Sequence, residues 1–337
     1  MKNVKMVLFA FLLVLTASFA WAGEPEKRLI VDTAFVTDAV KRGALLWDVR
    51  DAESFRRGHI PGAINIGSIG PALRYEHNED YLPTEQIEKI LGDAGFDPAR
   101  EIVVYGDKAD PFAYFGLFTV QYFGGNNVSV YHGGIDDWRA ARKENGNEAA
   151  KHPALPLKLK PRPELTVDTQ ELLGKLSAGV QIIDARTPRE FYGEDIRAIR
   201  GGHIPGAINI PYQKNWIDPD SASKLLKREI ANRDGMGLKS ADQLKALYAR
   251  FNPDKETIVY SQSGVRAAET ATILKDIGFK NVKVYDASWL GYANTLSAPV
   301  ENATFCNVGK MNGKLEAMQR RMDAMERVLG EMMKAIK

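Results

Sequence analysis

Four short apolar runs recur along the chain in two pairs. The first pair is Ile102-Val103-Val104-Tyr105 and Val128-Ser129-Val130-Tyr131; the second is Thr257-Ile258-Val259-Tyr260 and Val282-Lys283-Val284-Tyr285. Each run is rich in β-branched residues and bounded by polar ones, the pattern of a strand buried on both faces. Between the last two, residues 267–277 carry Ile273, Leu274 and Ile277 on one helical face, and Gly278 follows as a helix stop. Short buried strands alternating with helices predict an α/β chain whose sheets are mostly parallel and covered by helices on both faces.

The pairing of runs reflects a longer repeat. One copy reads Leu45-Leu46-Trp47-Asp48-Val49-Arg50, then Phe55, then Gly58-His59-Ile60-Pro61-Gly62-Ala63-Ile64-Asn65-Ile66. The other reads Gln181-Ile182-Ile183-Asp184-Ala185-Arg186, then Phe191, then Gly202-His203-Ile204-Pro205-Gly206-Ala207-Ile208-Asn209-Ile210, with an insertion around 194–200. Two domains follow, over residues 28–146 and 164–299. Pro153, Pro156, Pro161 and Pro163 make 147–163 an extended linker, because proline at that density resists helix and central strand.

The tail, 311–337, has a different period. Leu315, Met318, Met322, Met325, Leu329, Met332 and Ile336 alternate by three and four, the a/d seam of a coiled coil. A helix docked on its own domain would show a wider apolar stripe, so this narrow seam points to self-association through 315–336.

The N-terminus reads as a cleavable export signal: Lys2 and Lys5, an apolar run over 6–19, and Ala20-Trp21-Ala22 as the cleavage site. Cutting after Ala22 would place the protein in the periplasm or outside the cell, with no membrane span left. It also leaves 43 of the 45 basic residues against 43 acidic ones. That balance gives no reason to expect nucleic acid or an anionic membrane surface as a partner. The single cysteine, Cys306, excludes an internal disulfide. It reads as a buried thiol, an intermolecular disulfide or a mobile sulfur carrier. No metal cluster or dinucleotide fingerprint is present, so no metal or cofactor is called for.

The Asp-x-Arg strand, the Gly-His-Ile-Pro-Gly-Ala turn and the closing Tyr285-Asp286-Ala287-Ser288-Trp289 together resemble the rhodanese family of sulfurtransferases. Tyr131-His132-Gly133-Gly134-Ile135-Asp136-Asp137-Trp138 is similar to the same closing motif. The resemblance implies two rhodanese-like domains and a site in the second, near the junction of the two. The family's reactive loop follows the fourth central strand and opens with cysteine; the matching segment here is Ser261-Gln262-Ser263-Gly264-Val265-Arg266. A glycine-containing turn feeding a helix N-terminus forms a cup for an anion, through backbone N–H groups and the helix dipole. Four residues separate Ser261 from Arg266, one fewer than in the related phosphatases, which by resemblance favours sulfur over a phosphoryl group.

Ser261 stands at the cysteine position, Arg186 matches an arginine that reaches towards the loop, and Gln262, Ser263, Gly264, Val265 and Arg266 complete the anion cup. Arg186 has a second reading as an ion-pair partner of a neighbouring carboxylate. His59 and His203 read as packing residues of the turns, tied down by Asp48 and Asp184. In the first domain, Gly106-Asp107-Lys108-Ala109-Asp110-Pro111 offers no nucleophile and sets two carboxylates where the cup would need positive potential. The sequence thus describes an exported tandem protein that binds a sulfur species or small oxyanion, with sulfur transfer impaired by Ser261. Two alternatives stay open: an active thiosulfate sulfurtransferase, with Ser261 an altered cysteine or Cys306 as carrier, and a non-enzymatic scaffold of the cell envelope.

Overall fold

The computed structural model describes residues 28–148, 150 and 152–335. The expected signal segment and Ile336 of the seam lie outside the described residues. In the first domain, β1 (Ile30–Val31), β2 (Leu45–Asp48), β3 (Ala63–Ile64), β4 (Ile102–Tyr105) and β5 (Val128–Tyr131) form a parallel sheet in the order β1-β5-β4-β2-β3. In the second, β6 (Gln181–Asp184), β8 (Ile208–Asn209), β9 (Thr257–Tyr260) and β10 (Val282–Val284) pair in parallel in the order β10-β9-β6-β8. The fifth position survives there as a single bridge, Thr166 to Val284.

The second domain extends past the expected boundary at 299. Where the insertion runs into the repeated turn, β7 (Arg200–His203) pairs antiparallel with β11 (Glu301–Phe305), so the domain closes at Phe305. The side chain of Arg200 fastens this flap, donating to the carbonyls of Ala293 at 3.0 Å and Thr295 at 2.7 Å. The linker is extended as the prolines dictate, but it does not swing free. Leu155, Lys160 and Arg162 donate backbone hydrogen bonds to Gly92, Phe123 and Tyr122, and Leu159 is buried.

The repeated turn has a repeated structural use. Asn65 Nδ2 donates to the carbonyls of Asp48 and Arg50, and Asn209 Nδ2 to those of Asp184 and Arg186, which clips each turn to the end of its strand. His59 stacks on Phe55 at 3.7 Å and His203 on Phe191 at 3.6 Å, each with Nδ1 on that phenylalanine's carbonyl.

The inner faces of the two sheets share one apolar core. Trp47, Val104, Phe115 and Phe118 from the first domain are continuous with Val259, Ala268, Ile273 and Leu274 from the second. The helices that follow β4 and β9, Pro111–Tyr122 and Val265–Asp276, pack on each other at its centre. Each domain also has a separate outer core, around Tyr105 and Trp138 in one and Tyr285 and Trp289 in the other. Because the inner faces bury each other, neither domain can move away without exposing apolar surface, at roughly 25 cal/mol per Å². Polar contacts fix the register of the two bodies. Arg233 pairs with Asp107 at 3.0 Å and Asp136 at 2.9 Å. His132 bonds Tyr114 Oη through Nδ1 at 2.8 Å and the Met236 carbonyl through Nε2 at 2.9 Å.

Cys306 is half-buried and free, between β11 and a helix, Val308–Ala335, that starts three residues before the expected 311. No helix among the described residues is long and apolar enough to cross a membrane.

Burial pushes the His132 imidazole down to about 4. A histidine depressed in the fold takes up its proton only on unfolding, so this group withdraws stability as pH falls from its ordinary value near 6.5 towards 4. Over that window the loss is about 3 kcal/mol. Urea unfolding of the wild type and of His132→Asn is expected to show the stability difference between them shrinking by about that amount from pH 7 to pH 4; a constant difference would exclude the histidine as the titrating group.

Candidate active site

The segment 261–266 leaves the carboxyl end of β9 and enters the helix Val265–Asp276, whose N-cap is Gly264. Gly264 has φ 83°, a left-handed conformation that a side chain disfavours. A Cβ placed there would also stand 2.4 Å from Asp286 Oδ1. This glycine is therefore required by both backbone and space.

The closing motif holds the loop from behind. The Ser261 N–H donates to Ser288 Oγ at 3.0 Å, and that hydroxyl donates to the Tyr285 carbonyl at 2.7 Å. Trp289 and Leu290 N–H groups donate to the carbonyls of Ser261 and Gln262 at 3.0 and 2.9 Å. Ser288 itself has φ 52°, and the matching position in the first domain is Gly134, φ 53°. A non-glycine residue in that region costs roughly 1–2 kcal/mol, here offset by the hydroxyl's two bonds. On the other side, Gln262 Nε2 donates to the Arg197 carbonyl at 2.7 Å, within the insertion.

The loop's carbonyls are thus used, while its backbone donors after Ser261 are not. Among the described residues, the backbone N–H groups of 262–267 have no hydrogen-bond partner. Ser261 is 1% exposed, and its hydroxyl likewise lacks a partner. Consecutive free N–H groups at a helix N-terminus, around a buried side-chain oxygen, make a site of positive potential suited to an anion.

The equivalent loop of the first domain makes the contrast explicit. There the N–H of Lys108 donates to Asp136 Oδ2 at 2.7 Å, that of Ala109 to the His132 carbonyl at 2.9 Å, and that of Phe112 to Asp110 Oδ1 at 2.9 Å. The Asp110 carboxylate lies over Gly106, and burial raises it to about 6. The chain's own carboxylates occupy the donors that a ligand would need. Asp107 is spent on Arg50 at 3.6 Å and Arg233 at 3.0 Å.

Two of the arginines expected in the second site are engaged elsewhere. Arg186 is 1% exposed, and its Nε and Nη2 donate to Asp184 and to the Gly202 carbonyl. Its guanidinium lies 4.5 Å from the Trp289 ring and 5.4 Å from that of Tyr260. Arg50 repeats the arrangement with Asp48 and Gly58, so this arginine braces a strand end in both domains; it makes no hydrogen bond to 261–266. The expectation that Arg186 serves the pocket gives way to its alternative reading as an ion-pair partner. Arg266 forms a two-point pair with Glu190 at 2.7 and 2.8 Å. Despite burial, that guanidinium and the Thr187 N–H hold the Glu190 carboxyl at about 2. The charge of Arg266 is therefore largely neutralised rather than presented to the cup.

A residue the sequence reading missed reaches the cup, with Glu79 3.9 Å from its guanidinium. Arg74, from the first domain, donates Nη1–H to the Ser263 carbonyl at 2.7 Å and stands 3.8 Å from Asp286. It is buried over the Phe115 ring at 4.9 Å, and its Nε has no partner. Asp286, beside Gly264, is the other missed residue: burial raises its carboxyl to about 6, against the lowering pull of Arg74. Arg74 has no counterpart in the repeat, so no internal comparison could mark it.

Two α/β domains from one repeat, with a loop of free N–H donors after the fourth core strand of the second, define a class of anion-cradling folds. Comparison with known proteins narrows it. The Rhodanese-like domain family matches residues 34–141 and again 168–295, so the chain belongs to the rhodanese family. The thiosulfate sulfurtransferase of Corynebacterium glutamicum is 32% identical over 271 residues, 77% of this chain and 82% of that protein. A thiosulfate sulfurtransferase of Azotobacter vinelandii is 31% identical over 260 residues, 76% of this chain and 90% of that protein. Among solved structures, the 3-mercaptopyruvate sulfotransferase SseA of Escherichia coli matches with a TM-score of 0.65 at 25% identity, over 78% of this chain and 99% of that one. Wild-type EanB shares the fold, with a TM-score of 0.69 at 21% identity over 81% of this chain and 69% of that one.

A thiol placed at 261 would test the cup directly. Burial and Asp286 raise its pKa, while the free N–H groups, the helix dipole and Arg74 lower it. The consecutive N–H groups of 262–267 lie nearest the side chain, so Ser261→Cys is expected to titrate below the ordinary thiol value of about 8.5 when followed by thiolate absorbance against pH. A thiol titrating at or above that value would show that the loop does not stabilise an anion.

Proposed function

We propose that this is an exported, tandem rhodanese-type protein that holds a sulfur species or small oxyanion in the 261–266 loop and does not itself carry out sulfur transfer. In this reading the chain is cut after Ala22 and works in the periplasm or outside the cell, and its heptad tail is a coiled-coil segment. The observation that supports ligand binding most directly is the run of unpartnered N–H groups over 262–267 around the buried Ser261 hydroxyl. The relatives named thiosulfate sulfurtransferases suggest the ligand's class.

The chemistry of Ser261 supports the second half. In sulfur transfer a thiolate attacks the outer sulfur of thiosulfate, the sulfur–sulfur bond breaks and sulfite leaves. The persulfide then yields its outer sulfur to an acceptor such as cyanide and regenerates the thiolate. A serine hydroxyl is un-ionised near neutrality and needs an adjacent base to become a nucleophile. The Ser261 hydroxyl has no hydrogen-bond partner to act as that base, and its oxygen cannot take the place of the accepting sulfur.

The wild-type chain is expected to show negligible transfer from thiosulfate or 3-mercaptopyruvate to cyanide, and Ser261→Cys to gain both a persulfide, seen by mass spectrometry, and measurable turnover. Robust wild-type turnover that survives Cys306→Ser would refute the reading; turnover abolished by Cys306→Ser would move the sulfur carrier to that thiol.

Ligand affinity should also depend on pH. Asp286 stands beside Gly264 and is raised by burial to about 6. Its charge opposes an anion above that pH and is lost below it. Calorimetry with sulfate is expected to show binding tightening as pH falls through about 6, and Asp286→Asn to bind with the low-pH affinity throughout. Equal affinity on both sides of that pH in the wild type would remove Asp286 from the site.

A further inference from the structure

The helix Val308–Ala335 runs out from β11, and each of its described residues except Gly330 is exposed. Asn307 caps it: Oδ1 accepts from the Lys310 N–H at 2.9 Å, and the carbonyl accepts from Met311 at 3.0 Å. Counted from that cap, Val308, Leu315, Met322 and Leu329 fall on a, and Met311, Met318, Met325 and Met332 on d. The seam therefore opens one heptad earlier than its sequence pattern suggested. Gly309 and Gly330 fall on b and Gly313 on f, so the residues that weaken the helix all stand outside the seam. An isolated helix with three glycines gains nothing from packing; a partner along the seam would supply what propensity does not.

Resting on the coiled-coil reading above, we infer that this helix pairs in parallel and in register with a second copy of the chain. The positions flanking the seam decide the direction. In a parallel pair, each g residue faces the e residue of the next heptad on the other helix. Arg321 at g then meets Glu326 at e, joining opposite charges, and Val328 at g meets Met333 at e, covering two apolar side chains now 54% and 67% exposed. In an antiparallel pair with a against d, g faces g and e faces e. With Val308 set against Met332, Arg321 then meets Arg321 of the second copy and Val328 meets Lys314, so no ion pair forms and Val328 faces a charge. Only the parallel arrangement joins Arg321 to an opposite charge and Val328 to an apolar side chain; Lys314 at g meets the amide of Gln319 at e. It also sets two second domains at one end of the coil, each rooted through its own β11.

The single cysteine provides the readout. In a parallel pair the two Cys306 residues, two positions before the helix, lie together at its root. In an antiparallel pair they stand about 40 Å apart, since a 28-residue helix rises about 1.5 Å per residue. Light scattering on the full chain without 1–22 is expected to give twice the monomer mass at micromolar concentration, and a short bismaleimide to join the two copies through Cys306. Arg321→Glu is expected to weaken the dimer about tenfold, since it turns two attractive contacts repulsive. Adding Glu326→Arg should restore the affinity. A monomeric chain overturns the coiled-coil reading together with the inference, and its capture by anionic lipid vesicles would make a membrane surface the occupant instead. A dimer that resists cross-linking and ignores Arg321→Glu overturns the parallel arrangement alone.

Discussion

A helix that begins inside a protein presents backbone N–H groups with no acceptor in their own helix, and something must accept them. Both domains meet this constraint in the same place, after the fourth strand of the repeat, because each uses a helix from that point to build the shared core. The first domain answers with its own carboxylates: Asp110 caps the helix Pro111–Tyr122, and Asp136 takes the Lys108 N–H. The second places glycine at the N-cap and no side-chain acceptor, so its donors stay free for a ligand. One constraint, solved twice, divides a repeated chain into a sealed half and a binding half.

The sealed half still takes part in the site. Its helix packs on the helix that carries the loop, and the common core of Phe115, Phe118, Ile273 and Leu274 holds the two together. Arg74 crosses the junction to the Ser263 carbonyl and lies near Asp286, the carboxylate beside Gly264. The site's electrostatics therefore depend on the docking of the two domains. The arginines nearer in sequence are spent on structure: Arg186 on a strand end, Arg266 on Glu190. A buried arginine is retained where its donors meet fixed acceptors, and both find them within their own domain.

The second domain also carries a flap that the first reduces to a single antiparallel bridge, His59 to Gly146. In the second domain β7 pairs with β11 and is sealed by Arg200, while the carbonyl of Arg197, in the insertion, accepts from Gln262 of the loop. The same β11 leads into the tail helix. Loop, flap and tail are joined by a short path of hydrogen bonds and strand pairing.

Much of this was legible in the residues. The strands at 102–105, 128–131 and 257–260 were readable to the residue, because a strand buried on both faces leaves an unbroken apolar run. The repeat marked the two domains and the turns whose histidines and asparagines clip strand ends, since local hydrogen bonds need only local spacing. The loop at 261–266 was equally visible, as a glycine turn before a helix. What the sequence could not determine was which charges face that loop. Arg74 lies 189 residues from Ser263 and has no counterpart in the repeat, and the pairing of Arg266 with Glu190 needs the helix Pro188–Phe191 folded beside the loop. The flap escaped notice for the same reason, since β7 and β11 are too short and irregular to read as strands alone. Periodicity along a chain reports which face of an element is buried; which charge meets which is decided by docking, and only the tertiary structure records it.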